Sequence, residues 1–253
     1  TGHAQSSSPL TAQQKQAIAD FELSLNSAQI FSSSAQWLNV VSGKGGAINL
    51  AAQPFYVGIN DNFGDSVTNA EFDNKSITLY DGWEDKKGSK VDDARAAIAR
   101  GEEIFYSKKI TISGVAGIND DAAFGYQDVI EGTCTTCHNT PNVGSHSVMR
   151  LMNIGISDAQ NRTADLPLYT LKNKDTGEEV KTSDPGRALI SGHWADIGRF
   201  KPPVLRNLAA RPPYFHNGSA ATMADVVNYY NDRFNIDLTD QEKRDLVAFL
   251  NAL

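Results

Sequence analysis

Five consecutive residues, Cys134-Thr135-Thr136-Cys137-His138, constrain this chain more than any other feature. Its only two cysteines stand two residues apart, and a histidine follows the second directly. C-x-x-C-H is the attachment pattern of a c-type haem. The spacing has a chemical reason: two thiols one helical turn apart can each form a thioether to one of the two vinyl groups of a porphyrin. The next residue then supplies an imidazole nitrogen to the iron. Two other chemistries use paired cysteines. A structural zinc site needs four ligands, normally from a second Cys pair or a His-x3–5-His, and His3, His146, His193 and His216 do not have that spacing. A thioredoxin-like dithiol wants a βαβ setting, with no histidine directly after the second cysteine. The pattern therefore predicts one covalent haem c, with His138 as proximal ligand.

Charge and hydropathy narrow the partners. The chain has 253 residues, with 30 acidic against 23 basic side chains and a net charge of −7. That balance argues against nucleic acid as partner. No apolar run approaches the roughly 20 residues that span a bilayer, and no basic-then-apolar secretion signal opens the sequence. Haem attachment to C-x-x-C-H in bacteria occurs outside the cytoplasm, so a periplasmic or extracellular location is expected.

Along the chain, a polar lead-in (residues 1–10) gives way to a capping box at Thr11-Ala12-Gln13-Gln14 and a helix with Ala17, Ile18, Phe21 and Leu25 at helical spacing. From Ser32 to Lys90 glycines break the pattern repeatedly, giving a loop-rich stretch that must pack against something else. A stronger helix is expected from Asp92 or Asp93 to about Tyr106, then a short strand at 110–112. Residues 127–132 read as the turn that delivers the cysteines. Leu168–Leu171 and Glu179–Thr182 form a hairpin pattern, and capping boxes at Thr222 and Thr239 open the last two helices. The final helix is expected to bury Leu246, Phe249 and Leu250. The fold class expected is mainly α: a cytochrome c-like haem domain over 91–253 with long loops and a small β-hairpin, preceded by a partial, loop-rich region over 1–90.

The iron's other axial position has few candidates. Met149 and Met152 follow His138 closely and read as apolar filling near the haem edge. On the helix from Thr222, Met223, Val226, Val227 and Tyr230 share one inward face, with Tyr229 to its side. A buried phenol needs a partner. Ferric iron is one, and a backbone carbonyl in the core is the other; spacing alone leaves both open.

Three blocks carry a family resemblance: Phe200-Lys201-Pro202-Pro203-Val204-Leu205-Arg206-Asn207, Pro213-Tyr214-Phe215-His216-Asn217-Gly218, and Val226-Val227-Asn228-Tyr229-Tyr230. With Gly132 to His138 and Asp184-Pro185-Gly186-Arg187, they resemble the C-terminal haem domain of the bacterial diheme cytochrome c peroxidases and MauG-like proteins, over roughly residues 91–253. The resemblance implies His138/Tyr230 ligation, since the helix after the His-x-Gly block carries a Met in the peroxidases and a Tyr in MauG-like members. It also implies a Ca2+ held partly by carbonyls near Arg211 to Pro213, hard oxygen ligands that calcium favours. Arg206 is a candidate partner for a haem propionate, or else a cap near Ala209; His216 is expected to bond locally. His146 and His193 read as loop residues.

The chain departs from that family in having one C-x-x-C-H rather than two, the N-terminal one being missing. Residues 1–90 then read as a remnant or degenerate N-terminal domain. Either the chain is a piece of a longer diheme protein, which the abrupt Thr1-Gly2-His3 opening favours, or it is a single-haem relative. His3 could in principle ligate a haem held by another chain. A His/Tyr iron has no open position for peroxide, and phenolate lowers the reduction potential relative to Met. The leading expectation is thus an electron-transfer protein working with a redox partner protein or a second haem domain, with Trp37, Trp83 and Trp194 as aromatic relay candidates or plain core packing. The alternative is a peroxidase or MauG-like oxidoreductase, as part of a longer diheme chain or alone, whose His138 haem is five-coordinate or has a displaceable Tyr230 and activates peroxide or oxygen. A third class is an accessory subunit whose haem is mainly structural.

Overall fold

A computed structural model describes all residues except 1–7, 26 and 144–149. His3, His146 and Met149 therefore lie outside the described residues. The described chain is mainly helix and loop, with three two-stranded antiparallel ribbons.

Local chemistry explains the helix starts. Helix α1 (Ala12–Ser24) opens on the capping box at Thr11, whose side chain accepts from Gln14 N while the Gln14 side chain accepts from Thr11 N. Its apolar residues do not form a core face, because Ile18, Phe21 and Leu25 are all exposed. Helix α2 (Ala47–Ala51) is a single short turn. Helix α3 (Lys90–Ser107) begins earlier than the acidic pair suggests, since Ser89 caps it by accepting from Asp92 N. Helix α4 (Ala188–Ser191) is one turn. Helices α5 (Met223–Phe234) and α6 (Asp240–Leu250) start on the capping boxes at Thr222 and Thr239.

Strands β1 (Phe31–Ser32) and β2 (Gln36–Trp37) pair in the N-terminal region. Strand β3 (Ile110–Ser113) pairs with β4 (Val129–Gly132), in a register that sets Ile110 opposite Gly132. Residues 129–132, expected as a turn, are thus a strand: the turn starts one residue later, at Thr133. Strands β5 (Tyr169–Lys172) and β6 (Glu179–Thr182) form the hairpin its pattern predicted.

The scaffold is the crossing of α3 and α6. Gly101 makes close approach possible: a Cβ there would lie 2.0 Å from the Asp245 carbonyl oxygen. Across the crossing, Arg100 grips the buried Asp245 carboxylate with two bonds of 2.7 and 3.0 Å, and Phe105 meets Phe249 at 5.6 Å. Leu246, Phe249 and Leu250 are buried as expected. Residues on both sides of position 90 share this core. Leu38, Leu50, Ile77, Leu79, Tyr80 and Trp83 pack in one cluster with Ile98, Phe105 and Phe249. Tyr80 Oη donates to the Ala252 carbonyl at 2.7 Å, and the buried Glu102 carboxylate accepts from the backbone N–H groups of Leu79 and Tyr80. The loop-rich stretch obtains from α3 and α6 the buried surface it cannot build alone.

Candidate haem-binding site

Strand β4 delivers the chain into a 3-10 turn at Cys134–Thr136. Thr133 N donates to Thr136 Oγ1 at 2.9 Å, and His138 N donates to the Cys134 carbonyl at 3.1 Å, winding both cysteines and the histidine into one turn. Gly132 is required for this: a Cβ would sit 2.5 Å from Thr136 Oγ1 and 2.9 Å from Ile112 Cδ1. Thr135 and Thr136 are buried, with Thr133 and Thr135 sharing a 2.7 Å hydroxyl contact.

Cys134 and Cys137 are free thiols packed against the core. Burial pushes both up to about 12, with Cys137 adding to the effect at Cys134. A redox dithiol needs a thiolate at neutral pH, which this apolar setting disfavours. Cys137 Sγ lies 3.5 Å from Met152 Sδ, and Met152 is buried, as expected of apolar filling. His138 is buried, with the Phe105 ring 6.2 Å away.

Tyr230 faces this turn from α5. Burial pushes its phenol well above the usual range, and proximity to Cys137 and then Cys134 raises it further. Its ring stacks on Phe234 at 6.1 Å and meets Phe215 at 6.2 Å. Tyr229, by contrast, donates to the Ile154 carbonyl at 2.8 Å, and burial pushes its phenol up to about 12. The structure therefore brings Cys134, Cys137 and Tyr230 together and separates the two adjacent tyrosines by role. Two thiols and an imidazole on one turn, with the part-buried Tyr230 phenol and aromatic rings packed nearby, form a donor set that fits a c-type haem. Among the described residues, no group of three or more His, Cys, Asp and Glu side chains could hold a metal ion, so the zinc alternative has no ligand set there.

Arg206 does not cap the turn at 208–210. Its Nε donates to the Asn142 carbonyl at 3.1 Å, in the loop just after His138, and it is half-buried, with desolvation lowering its pKa. Near the expected calcium stretch, the Val204 and Arg206 carbonyls accept from the Arg211 guanidinium. His216 does not bond within its own block but pairs with Asp184, 32 residues away, at 2.5 Å, and lies against Phe200; His193 is exposed on the loop before Asp196. Trp83 is fully buried, with its indole N–H on the Val41 carbonyl, whereas Trp37 is exposed against Phe31. Sequence reasoning missed the contacts of Phe105 with His138 and of Phe215 with Tyr230, which form through tertiary packing. It also missed Asn60, Asn62 and Ser76, whose one visible signal is a cluster of Asn and Asp at 60–62.

The chain is similar to a cytochrome-c peroxidase, IdrP1, of Denitromonas iodatirespirans, at 32% identity over 140 residues covering 47% of this chain and 36% of that protein. It is also similar to the cytochrome c551 peroxidase of Nitrosomonas europaea, at 31% identity over 137 residues, 54% of this chain and 35% of that protein. A third relative is the methylamine utilization protein MauG of Methylophilus methylotrophus, at 30% over 94 residues, 33% of this chain and 26% of that protein. The matched part spans about a third or less of the length of these relatives. No family model matches the chain.

Proposed function

We propose that this chain, a relative of the diheme cytochrome c peroxidase and MauG-like proteins over about half its length, is a haem c oxidoreductase of peroxidase or MauG type that carries one electron-relaying centre. What supports this most is the likeness to cytochrome-c peroxidases over about half the chain, joined to a Cys134–Cys137–His138 turn packed with the part-buried Tyr230 against one core. Cys134 and Cys137 would hold the porphyrin through thioethers, and His138 and Tyr230 would be the side chains offered to its iron. A bound haem c supplies an iron centre that gains and loses one electron. The chain's own part would be to exclude water with Phe105, Met152, Phe215 and Phe234 and to hold the His138 and Tyr230 side chains in place. Arg206, which donates to the Asn142 carbonyl, would neutralise a propionate, and a calcium ion would have to draw on backbone carbonyls near 211–213. Residues 91–253 would be the cytochrome c-like domain, and 1–90 a degenerate N-terminal one. An exported location is proposed for a protein with covalent haem; among the described residues, no helix is long and apolar enough to cross a membrane.

Reducing a peroxide to water takes two electrons and two protons, and one such centre delivers one electron. The chain is therefore expected to work with a second centre, in a partner protein or a further domain. The second reading, a plain electron carrier, is favoured by the same Tyr230, which would fill the sixth position. Intact mass and ferric and ferrous spectra test the site: one covalent haem is expected, and its absence overturns both readings. Mixing the ferrous chain and a stoichiometric second-haem partner with peroxide separates them. Peroxide-dependent reoxidation is expected; none at all leaves the carrier reading.

A further inference from the structure

The polar contacts that hold the haem turn come from a segment that the sequence sets apart from it. Asn60 Nδ2 donates to the Asn139 carbonyl at 2.7 Å, and Asn139 Nδ2 returns a bond to the Asn60 carbonyl at 2.8 Å. Ser76 Oγ gives the Asn139 carbonyl a second donor at 3.2 Å. Asn62 Nδ2 donates to the Thr136 carbonyl at 3.1 Å. Thr136 and Asn139 bracket Cys137-His138, so the backbone is held on both sides of the imidazole. Asn139 is fully buried and Asn60 nearly so, where each bond is strengthened and each lost partner is costly.

Asn60 is itself anchored. Its Nδ2 also donates to the Asp73 carbonyl at 2.8 Å, its Oδ1 accepts from Asp73 N at 2.8 Å, and its backbone N donates to Asp65 Oδ2 at 3.1 Å. Asp65 in turn accepts from Tyr56 Oη and from the Val67 and Thr68 amides, which makes it the hub of the loop. Beside it, Asp61 pairs with Arg150 at 2.9 Å, and that guanidinium lies over the Phe63 and Phe124 rings. A fixed backbone fixes the Cα–Cβ direction, and hence where the imidazole can point.

We propose that Asn60, with Asn62 and Ser76, is a positioning clamp, through which segment 60–76 sets how His138 is presented to the iron; this rests on the haem reading of the site. Asn60→Asp tests it with little change of volume. It keeps an acceptor for Asp73 N, removes both donors, and sets a carboxylate oxygen against two carbonyls. Asn74→Ala is the control, because it removes a bond from the same segment to the Tyr106 carbonyl without touching the turn. In the haem-loaded chain, the midpoint of the acid-induced change in the ferric spectrum is expected to rise by about one pH unit in N60D, a tenfold easier loss of the imidazole, and to stay put in N74A. Equal shifts in the two variants would overturn the clamp. Amide exchange on the same preparations is expected to quicken tenfold or more over 136–140 in N60D with α6 unchanged; an unaltered turn would overturn it too. A parent without covalent haem would remove the haem reading alone, and exchange would still decide the clamp. If N60D does not fold, Ser76→Ala must show a smaller shift in the same direction, and no shift counts against the proposal.

Discussion

Single side chains carry the sharpest consequences. Replacing Tyr230 by Phe removes one oxygen from a part-buried, aromatic-lined position. Stability is expected to change by no more than about 1 kcal/mol, while the ferric spectrum turns high-spin; an unchanged spectrum would exclude Tyr230 as ligand. Glu102 has a separate role. Burial pushes its carboxyl up to about 7, against the two backbone N–H groups that favour its charge, with Asp81 raising it further and Lys44 lowering it. Because the folded pKa exceeds the unfolded value near 4.5, the folded chain binds the extra proton between those limits. Its contribution is present in full below about pH 4.5 and is lost as pH rises to about 7, amounting to roughly 3 kcal/mol. Glu102→Gln is expected to flatten the stability difference between pH 5 and 7.5 in urea titrations, at a constant cost of about 1–3 kcal/mol for the disturbed amide pair. An equally steep pH dependence in the variant would remove Glu102 as its source.

At the scale of elements, the α3–α6 crossing and the β4-to-turn junction both depend on a missing Cβ. Gly101→Ala would force α3 away from the Asp245 carbonyl, so a loss of about 1–3 kcal/mol is expected in chemical denaturation. A neutral result would mean that the helices can slide apart freely. Neither glycine announces itself in the sequence: Gly101 sits inside a helical pattern and Gly132 beside the haem motif. What the sequence does announce is helix starts, because a cap is a bond between residues three apart. The boxes at Thr11, Thr222 and Thr239 all form. Strand β4 was illegible because its partner β3 is about twenty residues away, and only the pairing makes it a strand.

The whole molecule behaves as two unequal parts. Among the described residues, the core is built from position 28 onward, with Tyr80 packed against Trp83 and Phe249 and Arg95 over the Trp83 ring. Helix α1 instead leaves Ile18, Phe21 and Leu25 exposed. Deleting residues 1–25 is therefore expected to change unfolding free energy by less than about 1 kcal/mol, whereas Trp83→Ala is expected to cost about 3–5 kcal/mol. Tryptophan fluorescence and far-ultraviolet circular dichroism are expected to melt together. A large effect of the deletion, or separate transitions, would contradict this division.

By itself the sequence determined the haem turn, the capped helices, the β5–β6 hairpin and the inward stripe bearing Tyr230, because each is written in one short stretch of chain, the hairpin's outermost pair, Tyr169 and Thr182, being the most widely spaced. Only the tertiary structure decided that Tyr229 bonds the Ile154 carbonyl, what Arg206 holds, and that residues before 90 grip the haem turn through Asn60 and Asn62. Those contacts join groups more than sixty residues apart. Local periodicity says nothing about such pairs: they form where packing leaves a buried donor one place to go.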